Sequence, residues 1–172
     1  MVQKFMEALR QAMIRNDLVF VQKAVEEALL NGYTIDYLFA VEAAVWGQDN
    51  VLKELMKVCD VSKGSSQALR WSAEKGNLEC VKLLIPASDP NALDASALQQ
   101  AVLSKHQNVI DILLPVSNYN VVLDYFKNQT NFEAYSLLAE RIQQFEALSQ
   151  KSRLLNNIKE VAPKINNAFR KI

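Results

Sequence analysis

The sequence predicts an all-α solenoid of about five stacked helix-turn-helix units, closed by a C-terminal helical cap. Three observations carry that expectation. A segment returns at a nearly fixed offset, its apolar residues fall three and four positions apart, and four Gly and four Pro in 172 residues are too few for most all-β folds. The return is plain where "ALRWSAEKGNLECVKLLIPASDP" at residues 68–90 is followed by "ALQQAVLSKHQNVIDILLPVSN". Pairing Ala68 with Ala97 sets an offset of 29, which also pairs Leu69 with Leu98, Val81 with Ile110, Leu84 with Leu113 and Pro86 with Pro115. A fixed period between about 20 and 50 residues marks a stacked repeat array.

Taken in order, the first unit ("ALRQAMIRNDLVFVQKAV") puts Leu9, Leu18 and Val21 in the columns of Leu69, Leu78 and Val81, a step of 31 before the second unit. The second, 29 before the third, aligns Ala44, Gly47, Leu52, Leu55 and Asp60 with Ala73, Gly76, Val81, Leu84 and Asp89. In the third, Leu69, Ser72 and Ala73 give helix A a narrow face that a neighbouring helix can approach. Gly76 stops that helix, Asn77 is expected to cap helix B, and Glu79 suits its positive end. Leu78, Val81, Leu84 and Ile85 form the inner stripe of helix B. Pro86 is expected to push Ile85 out of helical geometry and turn the chain there. In the fourth unit Ser96 and Gln99 have the spacing of a capping box. A shortened step of 25 yields the fifth, "VLDYFKNQTNFEAYSLLA", with Phe132 under Leu78 and Leu138 under Leu84.

This pattern resembles the ankyrin repeat. "ALRWSAEKGNLECVKLL" followed by "ASDPN" follows the family's order at Leu69, Ala73, Gly76, Val81, Leu83, Leu84, Asp89 and Asn91, without its Thr-Pro. The family unit is about 33 residues. The missing residues fall between helix B and the next helix A, so the fingers are expected to be stubby turns. The resemblance covers roughly residues 5–140, and the chain is expected to divide into an array at 1–140 and a cap or basic amphipathic segment at 141–172. It also places the lone His106, aligned with Asn77, where the family uses a histidine to bond backbone between repeats.

Nothing points to chemistry. The 19 basic and 19 acidic side chains cancel, so no global charge draws nucleic acid or an anionic surface. Cys59 and Cys80 have no metal-ligand company; Cys80 reads as a small buried residue, and no partner near Cys59 marks it as reactive. There is no phosphate loop, nucleophile elbow or zinc-protease motif. No enzyme activity, cofactor or metal is expected. The start of the chain lacks the apolar run of a secretory signal, no run is long enough for a membrane span, and a reduced cytoplasmic setting (or a host cytoplasm, for an effector) is expected.

The expected function is non-enzymatic recognition of a partner protein, which the bound array would block, as an effector or inhibitor does. In the ankyrin pattern the residue before Ala-Ala and the one four later project from helix A onto the concave side. Here those pairs are Gln11 and Arg15, Glu42 and Trp46, Trp71 and Lys75, Gln100 and Ser104, and Tyr125 and Gln129. Residues four apart share a helix face, so the pairs form parallel rungs. Two alternatives stand beside this: a self-associating module using the same face, and a nucleic-acid binder using the tail. Residues 151–172 hold six basic residues against Glu160, with Leu154, Leu155, Ile158, Val161, Ile165 and Phe169 as an apolar stripe broken by Pro163. A terminal cap is the expected role, since the last unit must cover its apolar face; binding to a partner groove, a membrane surface or nucleic acid is the other.

Overall fold

The structure, a computed structural model, describes the backbone of residues 2–169 and the side chains of residues 3–156. The helix pairs are α1 (Val2–Ile14) with α2 (Leu18–Asn31), α3 (Tyr37–Val45) with α4 (Asp49–Leu55), α5 (Lys63–Lys75) with α6 (Leu78–Leu84), α7 (Ala92–Leu103) with α8 (Gln107–Leu113), and α9 (Tyr119–Asn128) with α10 (Phe132–Phe169). Among the described residues there is no strand. The A helices α3, α5, α7 and α9 pack in succession, as do the B helices α2, α4, α6 and α8.

The turn from helix A to helix B is one device made five times. Asn16, Gly47, Gly76, Lys105 and Thr130 all adopt left-handed backbone, at steps of 31, 29, 29 and 25. The residue after each donates its N–H five residues back: Asp17 to Ala12, Gln48 to Ala43, Asn77 to Ser72, His106 to Ala101, and Asn131 to Phe126. This satisfies a carbonyl that a helix end otherwise leaves unpaired. The unequal repeat register read from the sequence is thus marked by the backbone itself.

The core follows the same columns. Leu9, Leu52, Leu55, Leu69, Val81, Leu84, Leu98, Ile110, Leu113 and Leu138 are fully buried, and Ser72 and Ala73 make the close helix-A face. Phe132 departs from its assigned column, standing 74% exposed. The equivalent positions in units two and four are Asp49 and Gln107, so this place at the start of helix B looks outward and Leu78 only half-buries there.

Three local expectations are corrected. Ile85 keeps helical geometry despite Pro86; a 3₁₀ turn, Ile85–Ala87, follows, and the chain extends only at Ser88. Pro86 sits at the start of that turn, where its missing N–H costs nothing. Asn77 makes no side-chain cap, because its amide is spent on the preceding unit. Ser96 and Gln99 form no capping box: Gln99 Nε2 donates instead to the Asp94 carbonyl, 2.7 Å away.

That carbonyl belongs to the stubby finger. Gly64, Ser65 and Ser66, and again Leu93, Asp94 and Ala95 at the offset of 29, form three consecutive left-handed residues at the entry to α5 and α7. Such geometry costs L-residues energy and requires outside support. Arg70 supplies it in one unit by donating to the carbonyls of Gly64 and Ser65, and Gln99 does so in the next. Ser66 Oγ also accepts the Asp89 N–H at 2.8 Å, and Asn91 Oδ1 the Asn118 N–H, which links successive connectors.

α10 crosses the expected boundary at residue 140 without interruption. Ala134, Leu138 and Ile142 are buried and Phe145 is half-buried against the core, while an Arg141–Asp111 ion pair ties α10 to α8. This part covers the end of the array. The side chains of Ile158, Val161, Ile165 and Phe169 lie outside the described residues.

Candidate interaction surface

The helix-A face acquires its geometry from the turn that ends it. At three of the five turns, the residue following the left-handed position reaches back to the carbonyls of the previous helix A. Gln48 Nε2 donates to Met13 O at 2.7 Å, and Asn77 Nδ2 donates to Ala44 O at 2.8 Å and Val45 O at 2.9 Å. His106 Nε2 lies 2.9 Å from Glu74 O, and since a carbonyl only accepts, that nitrogen carries the proton. His106 therefore holds backbone between units. This ladder ties the turns of units two, three and four to α1, α3 and α5.

Trp46, Trp71 and Tyr125 stand 45%, 39% and 39% exposed, on helices whose opposite faces are fully buried. Lys75 and Gln129 are exposed beside them, and Gln100 and Ser104 are half-buried between. Neither indole stacks on another ring among the described residues; Tyr125 meets its neighbour Phe126 edge-on, with centroids 5.3 Å apart. Glu42 is held by Arg10 at 2.8 Å and Lys75 by Glu74 at 3.0 Å, so both charges are already engaged. Exposed pairs of this kind contribute little to stability. The second carboxylate oxygen of Glu42 is shielded from solvent and has no partner.

Gln11 and Arg15 are exposed on α1. α1 packs mainly on α2, and it meets α3 through Arg10, which pairs with Glu42 and lies 5.4 Å above the Phe39 ring. Two residues of the ridge were missed by the sequence reading. Leu38 (42% exposed) lies four before Glu42 and Leu103 (44% exposed) three after Gln100. Helical spacing alone would have placed both on this face.

The cysteines are inert. Cys59 and Cys80 are free and buried, and burial pushes their thiols up to about 12 and about 11. Cys59 Sγ sits 3.5 Å from the Ile35 carbonyl, inside a connector. No group of three or more His, Cys, Asp or Glu able to hold a metal occurs among the described residues.

Stacked helix pairs and a ladder of polar side chains between their turns define a helical repeat scaffold. The family model for ankyrin repeats, in three copies, matches residues 38–124, half of the chain. The chain belongs to the ankyrin-repeat family. Such repeats generally mediate protein–protein interaction and are typically non-enzymatic. No curated protein and no solved structure matches the chain at a significant level.

Proposed function

We propose that the chain binds a partner protein through the ridge formed by Trp46, Trp71 and Tyr125, with Leu38 and Leu103 between and beside them, and acts by covering that partner's working surface. The observation that carries this reading is the exposure of three aromatics on the rung positions of units two, three and five, Trp46 at the second position of its rung and Trp71 and Tyr125 at the first. Tryptophan is usually well buried, and Trp, Tyr and Arg supply the commonest energetic anchors of interfaces. The scaffold behind the ridge is fixed by the turn ladder, so little ordering is left to be done on binding, which lowers its entropic cost.

Trp71→Ala tests this. Its melting temperature should stay within a few degrees of the parent, because a half-exposed ring fills no core space, while affinity for a partner isolated by affinity capture should fall by about 2 kcal/mol or more. The parent's indole emission should be red-shifted and readily quenched by acrylamide. A blue-shifted, protected Trp71 whose removal unfolds the chain would sink the assignment. A homodimer that Trp71→Ala converts to monomer would assign the ridge to self-association.

A further inference from the structure

A cavity of about 600 Å³ opens between α1 and the connectors that lead into α3 and α5. It lies at the ends of the A helices away from the turn ladder, since it takes Met6 from the first half of α1 and Tyr37 and Lys63 from the first positions of α3 and α5. Its volume falls within the roughly 300–1,000 Å³ of ligand pockets. Ile35 and Phe39 are buried in its floor, with Met6, Tyr37 and Val58 half-buried around them. Asp36, Asp60 and Lys63 are exposed and make a charged rim.

Each rim aspartate is only half used. Asp36 Oδ1 accepts the Leu38 N–H at 3.0 Å, and Asp60 Oδ1 accepts the Ser62 N–H at 3.1 Å and its hydroxyl at 2.6 Å. The Ser62 bonds, the hydroxyl first, hold the Asp60 carboxyl below the usual carboxylate range. Neither aspartate belongs to an ion pair among the described residues. Lys63 lines the cavity without pairing with either one. Arg10, 5.4 Å above the Phe39 ring, gives its charge to Glu42. One oxygen of each aspartate is thus left to an incoming donor, above an apolar floor.

We propose that this cavity seats an arginine side chain of the partner protein, which rests on the reading that the chain binds such a partner through the adjoining ridge. Leu38 of that ridge stands in sequence between Tyr37 and Phe39, two residues of the cavity. A guanidinium is weakly hydrated and donates within its own plane, so it can lie on aromatic rings while its edges bond carboxylates. Its aliphatic stem would cover Met6 and Val58. A lysine ammonium is a strongly hydrated point charge and suits an apolar floor less well. An anionic side chain would be repelled by the two aspartates.

The test titrates the full chain, labelled with nitrogen-15, with n-butylguanidinium and follows its amide resonances. Saturable shifts should fall at residues 34–39 and 58–63. Neutral n-butylurea should bind about tenfold more weakly or worse, and n-butylammonium about threefold. Asp36→Asn/Asp60→Asn keeps an oxygen for the Leu38 and Ser62 donors, so its melting curve should match the parent's. Its affinity should fall about tenfold or more, for the probe and for a partner isolated by affinity capture. Absence of shifts at these residues overturns the proposal, as does n-butylurea or n-butylammonium binding as tightly as n-butylguanidinium. Partner affinity that the double variant leaves unchanged also overturns it, and leaves the ridge standing. Trp71→Ala should bind the probe as the parent does, so a failure of the ridge is seen apart from a failure of the cavity.

Discussion

Each turn from helix A to helix B has one left-handed residue and one N–H reaching five residues back, from Asn16 to Thr130, whereas of the connectors from helix B to the next helix A only those before α5 and α7 share a length and a left-handed coil. The steps of 31, 29, 29 and 25 separate identical turns, so the variation lies outside them. Before α3 the chain is straightened and capped by Asp36; before α5 and α7 it coils left-handed; before α9 it has no such coil. The contrast follows from what each segment touches. At Gly47 and Gly76 the turn backbone meets the next unit's Asn77 or His106 side chain at close range, and an added Cβ there displaces it. The connector lies at the edge and can be re-bonded locally, as Arg70 and Gln99 do with different chemistry.

The sharpest way to break this contrast is to add one methyl on each side of it. A Cβ on Gly76, in a turn, would lie 2.6–2.8 Å from the His106 ring, while one on Gly32, in a connector, would meet nothing within 4 Å. Both glycines are left-handed. Gly32→Ala should cost only backbone strain, about 1 kcal/mol, and Gly76→Ala strain plus displacement of the imidazole, about 2–4 kcal/mol. Thermal or urea melts measure both; equal losses would remove the distinction between turn and connector.

A smaller effect of opposite sign is expected at Lys105, which holds left-handed geometry where two other units have glycine. Lys105→Gly relieves that strain at the cost of a looser unfolded chain, for a net gain of about 0.5 kcal/mol. Loss of the exposed Lys105–Glu133 pair should subtract little. A fall in melting temperature would show that the pair, not the backbone, decides stability at this turn.

The two thiols sharpen the comparison without changing stability. With values of about 12 and about 11, both remain protonated at pH 8, and the reactive thiolate is scarce. Neither should react with a disulfide reagent until the surrounding structure opens. Cys59, in a connector, should then be labelled faster than Cys80, inside a helix pair. Simultaneous labelling would mean that connectors and units open as one.

The legibility of the sequence divides along the same line. Gly47 and Gly76 announced two turns, and periodic Leu and Val located the helices of all five units, because burial and left-handed geometry each restrict residue choice. Asn16, Lys105 and Thr130 hold the same geometry without being glycine, and only the register exposed them. The left-handed coils at 64–66 and 93–95 were hidden, since Leu93, Asp94 and Ala95 have no preference for that backbone. Their support comes from Arg70 and Gln99, five or six residues along the chain. Asn77 and Gln99 look like caps by type and spacing, but tertiary partners claimed their amides. Counting in fours pairs the rung residues within each helix A, whereas the way α1 meets α3, through Arg10 and Glu42, is recorded by no local pattern.

Phe126 sets a limit on how such a molecule can grow. Its column holds Ala12, Ala43, Ser72 and Ala101 in the earlier units, all buried, and then a phenyl ring that is equally buried. Where the others leave room for a helix to approach closely, the phenyl ring fills that room within the molecule. The middle of the molecule has no such stop. Units three and four share length, turn and finger, and a copy of their 29 residues inserted in frame would bring both halves of each interface with it. Duplication at the centre would therefore lengthen the array without a new terminus having to be invented.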